Sequence, residues 1–253
     1  MTVSDAVSIS DRLSLREAKK RERPDESVVS ILAPGSFEAE QYRGLRYMVE
    51  ESGRRVVGIT SPTPGDGKTT TAINLAGALA QAAGRRVLLV EADLRQPRIG
   101  DVLRLEGSHG RGLADAIADA RLALSDVVRQ LPRSSLSVLP AGRSPASAYE
   151  TLHSSRLGDL LDEARQQNDY VVVDTPPVTP VPDCRLIERV VDAFLVVVAA
   201  HRTRRELLEE ALSALDPTKI LGLVFNGDDW LRRRSYGYGY YTSEPKGRRA
   251  PVA

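Results

Sequence analysis

Six short runs rich in valine, isoleucine and leucine recur along the chain and limit its possible folds more than any other feature. The runs are Arg55–Thr60, Val87–Val90, Leu136–Leu139, Val171–Val173, Phe194–Ala199 and Ile220–Phe225. Such runs predict strands buried on both faces, as in parallel sheets covered by helices. The stretches between them predict helices over Lys68–Gln81, Gly112–Ala118, Ser155–Gln167, Asp183–Val190 and Arg204–Ala214. Strands alternating with helices predict an α/β fold with a doubly wound, mostly parallel sheet.

The composition excludes several classes of protein. With 253 residues, 42% of them apolar, the chain can bury one α/β core. A net charge of +1 argues against a general nucleic-acid binder. The single cysteine, Cys184, excludes a disulfide framework within the chain. No apolar run reaches the roughly 20 residues that span a bilayer, and the N-terminus resembles no signal peptide. We therefore expect a cytoplasmic protein that reaches the inner face of the membrane through a partner.

Changes in composition divide the chain into three parts. Residues 1–29 are polar and charged, which predicts a disordered N-terminal arm. Residues 30–230 carry the predicted strands and form the predicted domain, which opens with a helix capped by Ser36 and ending near Gly53. Residues 231–253 are dominated by glycine, proline, arginine and tyrosine, which predicts a flexible tail.

The first predicted strand runs into a glycine-containing loop and then a helix. The residues predicted to surround a nucleotide here are Pro64, Gly65, Asp66, Gly67, Lys68, Thr69 and Thr70. Glycines let backbone N–H groups approach phosphate oxygens, and the helix N-terminus favours the phosphate charge. Lys68 is expected to reach the β- and γ-phosphates, and the Thr69 hydroxyl to bind Mg²⁺. Pro62 replaces the usual first glycine of the pattern. A glycine-rich turn without chemistry is the alternative, but the order of strand, loop, lysine, hydroxyl and helix favours an ATP site.

Three acids follow two of the buried strands. Glu91 and Asp93 lie at the end of the second run, and Asp174 lies at the end of the fourth. Ligands of open α/β sheets bind beyond the carboxyl ends of the strands, so these acids are expected to converge beside the phosphates. Each acid alone is more often a strand-end or capping residue. Together with the loop they predict a site for Mg²⁺, which prefers a few carboxylates with water and phosphate oxygens.

These segments resemble a known family. SPTPGDGKTT at 61–70, VLLVEADLRQP at 87–97 and YVVVDTPPV at 170–178 resemble the Walker A, A′ and B motifs of the bacterial tyrosine kinases. Those proteins are P-loop NTPases of the deviant Walker A type, and the similarity covers about residues 30–241. Related partitioning and septum-positioning ATPases carry a second lysine five residues before the invariant one. Thr63 stands there in this chain, which favours the kinase branch.

The resemblance implies an ATP- and Mg²⁺-dependent tyrosine autokinase that regulates capsule and exopolysaccharide synthesis and export. It implies catalytic roles for Lys68, Glu91, Asp93 and Asp174, and Mg²⁺ ligation by Thr69 with those three acids. It also implies partners: a ring of identical subunits, an integral-membrane chain-length regulator as activator, a tyrosine phosphatase and further protein substrates, with no nucleic acid among them.

Two further segments match that family. Glu40, Arg43 and Arg46 match its E-x-x-R-x-x-R motif, and their spacing places them along one helix face, where the family forms its oligomer. A solvated charged face is the simpler alternative.

Four of the eight tyrosines lie within six residues of the tail: Tyr236, Tyr238, Tyr240 and Tyr241. The resemblance implies that they are autophosphorylated in trans; the alternative is an aromatic tail that binds another partner.

One residue departs from the family pattern. The first acid of the A′ motif is usually aspartate, and here it is Glu91. A misplacement of about 1 Å can cost on the order of a hundredfold in rate, so either Glu91 weakens catalysis or the backbone adjusts.

Two rival functions also stay open. One is a partitioning-type ATPase switch without a tyrosine acceptor, and the other is a non-enzymatic nucleotide-binding partner of the polysaccharide machinery.

Overall fold

Seven strands form a single sheet in the computed structural model, which describes residues 24–108, 110–132, 134–179 and 181–228. The strands are β1 (Val56–Thr60), β2 (Val87–Glu91), β3 (Arg129–Gln130), β4 (Leu136–Leu139), β5 (Tyr170–Asp174), β6 (Ala193–Ala199) and β7 (Ile220–Asn226). Their order is β3-β4-β2-β5-β1-β6-β7. All neighbours are parallel except β3 and β4. The predicted doubly wound, mostly parallel sheet is confirmed.

Helices cover both faces of this sheet. They are α1 (Val29–Leu32), α2 (Phe37–Ser52), α3 (Lys68–Ala80), α4 (Ile99–Leu103), α5 (Leu113–Ala118), α6 (Leu124–Val127), α7 (Ala148–His153), α8 (Arg156–Gln167), α9 (Asp183–Glu188) and α10 (Arg205–Ser213). The five predicted connecting helices are present, whereas α1, α4, α6 and α7 were not predicted. Among the residues described, no helix is both long and apolar enough to cross a bilayer.

Each central strand contributes to two separate apolar cores. Val56 packs with α5, α8 and α9 on one face, while Val57 and Ile59 pack with α2 and α3 on the other. Side chains alternate between the faces of a strand, so a strand covered on both sides needs an apolar residue at every position. This explains the unbroken apolar runs.

The predicted capped helix is α2. The Ser36 hydroxyl accepts a hydrogen bond from the Ala39 N–H at 3.1 Å, which satisfies one donor of the first turn. Gly53 ends the helix with φ +68°, a left-handed conformation that favours glycine.

The predicted boundary at residue 29 is wrong for the segment just before it. Val28 is fully buried, and the Asn74 side chain of α3 accepts from the Ser30 N–H and donates to the Ser27 carbonyl, both at 2.9 Å. Residues 24–29 therefore pack with the domain. The buried Val28 side chain and the hydrogen bonds of the Asn74 amide hold them there, although the residues around them are mostly polar. The rest of the predicted arm (1–23) and the segment 229–253 lie outside the described residues, so the division into arm, domain and tail stays a prediction.

Candidate nucleotide site

The glycine loop connects β1 to α3 in the predicted way. Gly65 and Gly67 have φ of +85° and +99°, which L side chains rarely adopt. A Cβ atom on Gly67 would also lie 1.8 Å from the Asn226 side-chain amide nitrogen. Glycine is therefore required at position 67 by both backbone conformation and space.

The loop surrounds one cavity of about 340 Å³, within the size range of small-molecule sites. Six predicted residues line it: Pro64, Gly65, Gly67, Lys68, Thr69 and Thr70. Asp93 and Arg95, from the segment that follows β2, also line it. The structure thus brings the predicted loop and the A′ segment together around one space.

Asp66 is buried and braces the loop from within. Its carboxylate accepts hydrogen bonds from the Thr63 N–H at 2.8 Å, the Thr63 hydroxyl at 2.9 Å and the Thr203 hydroxyl at 2.9 Å. Asn226 donates to the Asp66 carbonyl at 3.0 Å, and Arg202 donates to the Gly65 carbonyl. The Asp66 side chain is thus committed to loop structure rather than turned to the cavity.

The residues that donate to the loop from outside it come from the ends of β6 and β7, and sequence reasoning assigned them no role. Arg202 and Thr203 follow the carboxyl end of β6, and Asn226 ends β7. Their position beyond parallel strand ends is the signal that could have identified them, because loops at this edge of the sheet meet the ligand.

Lys68 is buried between two carboxylates. Its Nζ lies 2.8 Å from Asp93 Oδ2 and 3.9 Å from Asp174 Oδ1. Burial by itself lowers the pKa of Lys68, but the charges of Asp174 and Asp93 outweigh it, so the pKa lies above its usual value. Lys68 therefore stays charged, as a phosphate-binding lysine must.

Asp174 ends β5 beside Lys68, with its Oδ1 3.9 Å from Lys68 Nζ, and it is not among the residues that line the cavity. It is 1% exposed, and its Oδ1 has no hydrogen-bond partner among the described residues. Burial raises the pKa of Asp174 to about 7, against the opposing effects of the Lys68 charge and a hydrogen bond with the Thr69 side chain. A buried carboxylate oxygen without a donor is costly, and a hydrated cation would complete it.

The side chains around this Asp174 oxygen fit Mg²⁺. The described residues hold no group of three or more acid, histidine or cysteine side chains arranged as a metal cage. Mg²⁺ does not need one, because it usually keeps several waters and binds one or two carboxylates with phosphate oxygens. Asp174, Asp93 and Thr69 supply that smaller set.

Glu91 is not part of this set. Its Oε1 accepts from the Arg98 and Ile99 N–H groups, the latter at 2.5 Å, and its Oε2 accepts from the Ala141 N–H at 3.1 Å. Burial raises the pKa of Glu91, opposed by these three hydrogen bonds. Glu91 does not line the nucleotide cavity, whereas Asp93 does, although its two oxygens accept from the Gln96 N–H and from Lys68. The predicted metal and catalytic roles of Glu91 stay predictions. Its longer side chain ties two loops to the end of β2.

Arg95 is fixed over the cavity by a buried acid. Its Nε lies 2.6 Å from Asp183 Oδ2 and its Nη2 lies 3.0 Å from Asp183 Oδ1, a two-pronged pair with a side chain that is 1% exposed. The sequence analysis did not identify this pair. Because Asp183 begins α9, the pair connects the A′ segment to the helix that follows β5.

The predicted oligomer residues lie on α2 and are paired within the chain. Glu40 and Arg43 form an ion pair, and Arg43 also donates to the Pro34 carbonyl. Arg46 donates to Glu50 at 3.1 Å and to the Ala78 carbonyl at 3.3 Å. Their role between subunits stays a prediction. The four tail tyrosines lie outside the described residues.

Comparisons with known proteins place the chain in a family. The AAA domain family matches residues 54–206. A tyrosine-protein kinase of Bacillus subtilis, YwqD, is 33% identical over 222 residues, which cover 85% of this chain and 92% of YwqD. The chain belongs to the bacterial tyrosine kinase family. The kinase domain of the Escherichia coli tyrosine kinase ETK has the same fold, with a TM-score of 0.72 and 26% identity over 79% of each chain. The succinoglycan biosynthesis transport protein ExoP of Rhizobium meliloti is 33% identical over 80% of this chain and 26% of ExoP.

Proposed function

We propose that this chain is an ATP- and Mg²⁺-dependent protein-tyrosine kinase that phosphorylates the tail of a neighbouring copy. The acceptors would be Tyr236, Tyr238, Tyr240 and Tyr241. The observation that carries the proposal is the buried Lys68 beside an Asp174 oxygen that accepts no hydrogen bond from the described residues, next to a glycine loop, in a chain of the bacterial tyrosine kinase family.

The chain's own residues supply charge stabilisation and positioning. Loop N–H groups from Gly65 to Thr70 and the Lys68 ammonium hold the phosphates, and to do so Lys68 exchanges Asp93 for a phosphate oxygen. Thr69, Asp93 and Asp174 would hold Mg²⁺, which when bound neutralises charge that develops on the transferred phosphoryl group.

Glu91 is left out of the proton transfer. Phosphoryl transfer to an oxygen nucleophile depends mostly on positioning and electrostatics. The side chain nearest Lys68 on the cavity wall is Asp93, at 2.8 Å. Asp93 lines the cavity and Glu91 does not, so we assign Asp93 to the reacting groups and Glu91 only to the position of the A′ segment.

The cellular role and the partners are proposed from the family. We propose that the kinase regulates exopolysaccharide or capsule synthesis, because its relative ExoP is a succinoglycan biosynthesis transport protein. It would be cytoplasmic, recruited to the membrane by an integral-membrane chain-length regulator, and assembled as a ring through Glu40, Arg43 and Arg46. A tyrosine phosphatase would reverse the modification, and further protein substrates would share the site.

Labelling with γ-labelled ATP tests the proposal. The wild-type chain should acquire label on tail tyrosines, and Lys68→Met should lose it while keeping its circular dichroism spectrum. Arg121→Met, which removes an exposed cation paired with Asp119, should label like the wild type. Release of phosphate without labelled protein would instead indicate an ATPase switch. Nucleotide binding without either product would indicate a non-enzymatic partner.

A further inference from the structure

The nucleotide cavity is lined by two chemically different sets of residues. One set is the glycine loop with Lys68, which suits phosphates. The other set includes four apolar residues, Val102 on α4 and Pro176, Pro177 and Val181 after β5, which we call the apolar wall. A triphosphate chain does not need an apolar surface, because N–H groups and cations meet its charged oxygens best. The apolar wall is therefore available to another part of the reactants.

The charged groups indicate which end of ATP lies beside the apolar wall. The strand that leads into the glycine loop, β1, has β5 and β2 on one side and β6 and β7 on the other. Lys68 lies 2.8 Å from Asp93 and 3.9 Å from Asp174, so the γ-phosphate that it binds lies on the β2 and β5 side. The apolar wall comes from the segments after β2 and β5, on that same side. In an in-line transfer the acceptor approaches the γ-phosphorus opposite the leaving oxygen, so the acceptor meets this wall.

Arg95 connects the two segments that form the wall. It follows β2, and Asp183, its partner in the two-pronged pair at 2.6 and 3.0 Å, begins α9 after β5. Asp183 is fully buried, whereas the Arg95 side chain is 44% exposed and lines the cavity. Hydrogen bonds in the plane of a guanidinium leave its flat faces available, and such a face attracts an aromatic ring. The pair therefore fixes the two segments relative to each other and presents a cation beside the wall.

We propose that the apolar wall and Arg95 bind the ring of the acceptor tyrosine, with Arg95 as a positioning residue held by Asp183. The occupant is a tail tyrosine of a second copy, so this inference rests on the proposed function and adds the subsite that selects the acceptor. A tyrosine ring buries apolar surface against the wall while its hydroxyl reaches the γ-phosphate. Serine and threonine lack the ring, so their hydroxyls reach the γ-phosphate only if the peptide backbone enters the cavity.

Inhibition by tail peptides tests the subsite. The enzyme is the full chain with its four tail tyrosines replaced by serine, and the acceptor is a peptide of residues 234–242. The same peptide with phenylalanine at its four tyrosine positions cannot accept phosphate but keeps the rings, so it should compete with the tyrosine peptide. A peptide with serine at those positions should inhibit at least about tenfold less. Equal inhibition by the two peptides, or none by either, would overturn the proposal.

Val181→Thr tests the wall, because it replaces a methyl group by a hydroxyl at nearly constant volume. We expect KM for the tyrosine peptide to rise at least about threefold, while ATP affinity measured by calorimetry stays within about twofold. Val190→Thr is the matched control, since Val190 lines a different cavity, between α8 and α9. It should leave both quantities unchanged. Equal KM values in Val181→Thr and the control would remove the wall from the subsite.

Arg95→Lys tests the positioning role, because lysine keeps the charge but cannot form the two-pronged pair. We expect KM for the tyrosine peptide to rise about tenfold with ATP affinity within about twofold, and circular dichroism checks the fold. A loss of ATP affinity as large as the rise in KM would show that Arg95 serves the nucleotide instead. An unchanged KM would also contradict its role.

Direct binding separates this inference from the proposed function. Calorimetry without ATP should show that the phenylalanine peptide binds the enzyme several-fold more tightly than the serine peptide does, and that Arg95→Lys and Val181→Thr reduce the difference. If the peptide binds in this way but no tyrosine is labelled, the proposed function fails and the subsite stands. If tyrosines are labelled and the two peptides bind equally, the subsite alone fails.

Discussion

Glu91 and Asp174 lie side by side at the ends of two neighbouring strands, but their carboxylates have different hydrogen-bond partners. They are partners in the β2–β5 register, and both are buried. Glu91 accepts hydrogen bonds from three backbone N–H groups, whereas one oxygen of Asp174 has no hydrogen-bond partner among the described residues and lies 3.9 Å from Lys68 Nζ. The comparison teaches that burial does not make an acid a metal ligand. Of these two acids, the one with an oxygen that accepts no hydrogen bond is the better candidate to bind a cation.

The largest effect should come from Asp174. We expect Asp174→Asn to lower the rate of tail labelling by at least about a hundredfold, the cost of removing one electrostatic group at a reacting centre. The thermal midpoint should not fall, because the cost of burying the Asp174 charge outweighs its attraction to Lys68. Labelling and thermal denaturation measured on the same preparation check both. A lowered midpoint with normal labelling would reverse the roles of the two acids.

At Glu91 we expect substitution to reduce the stability of the fold. Glu91→Ala leaves three N–H groups without an acceptor and should reduce the free energy of unfolding by about 3 kcal/mol. Glu91→Asp should also destabilise, by about 1–2 kcal/mol, because the shorter side chain cannot reach both loops. Chemical denaturation measures these losses, and Glu91→Gln should also destabilise, because its NH₂ group cannot accept from the N–H groups that one of the two oxygens serves. If Glu91 bound the metal, the aspartate variant would label faster than the wild type instead.

The pH dependence of stability separates the two acids further. The pKa of Asp174 is raised from 3.8 to about 7 in the folded chain, so the folded state holds more protons than the unfolded state between about pH 4 and 7. The free energy of unfolding should therefore fall as pH rises through that window. Asp174→Asn should flatten the fall, and Arg121→Met should not. Denaturant titrations at pH 5 and pH 7 without added Mg²⁺ give the change in the free energy of unfolding for each of the three proteins. Equal changes in all three would rule out this contribution.

The smallest effect concerns the loop rather than the acids. Thr203→Val removes one hydrogen bond to the Asp66 carboxylate while the two from Thr63 remain. We expect ATP binding to weaken by less than about tenfold, the effect of roughly 1 kcal/mol. Thr203→Ser keeps the hydroxyl and should bind like the wild type. A nucleotide titration compares the three, and a loss as large as that of Asp174→Asn would show that loop bracing dominates the site.

The sequence allowed the sheet and the phosphate loop to be predicted because both are local patterns. The apolar runs need only their own residues, and Lys68 and Thr69 follow the glycines directly. The state of Glu91 could not be predicted, because its partner Ala141 lies 50 residues further along and is brought close only by folding. The Arg95–Asp183 pair was missed for the same reason, since 88 residues separate its members. Short helices such as α4 have too few residues for a helical period to stand out.

The contact between Gly67 and Asn226 has a consequence for how the chain is made. The Asn226 side chain fills the space that a Cβ on Gly67 would need, and it holds the Asp66 carbonyl across 160 residues of sequence. Because ribosomes synthesise chains from the N-terminus, the glycine loop emerges long before the strand that carries Asn226. We expect a nascent chain to bind nucleotide only weakly until β7 has left the ribosome, so ATP would meet a finished loop only in a nearly complete domain.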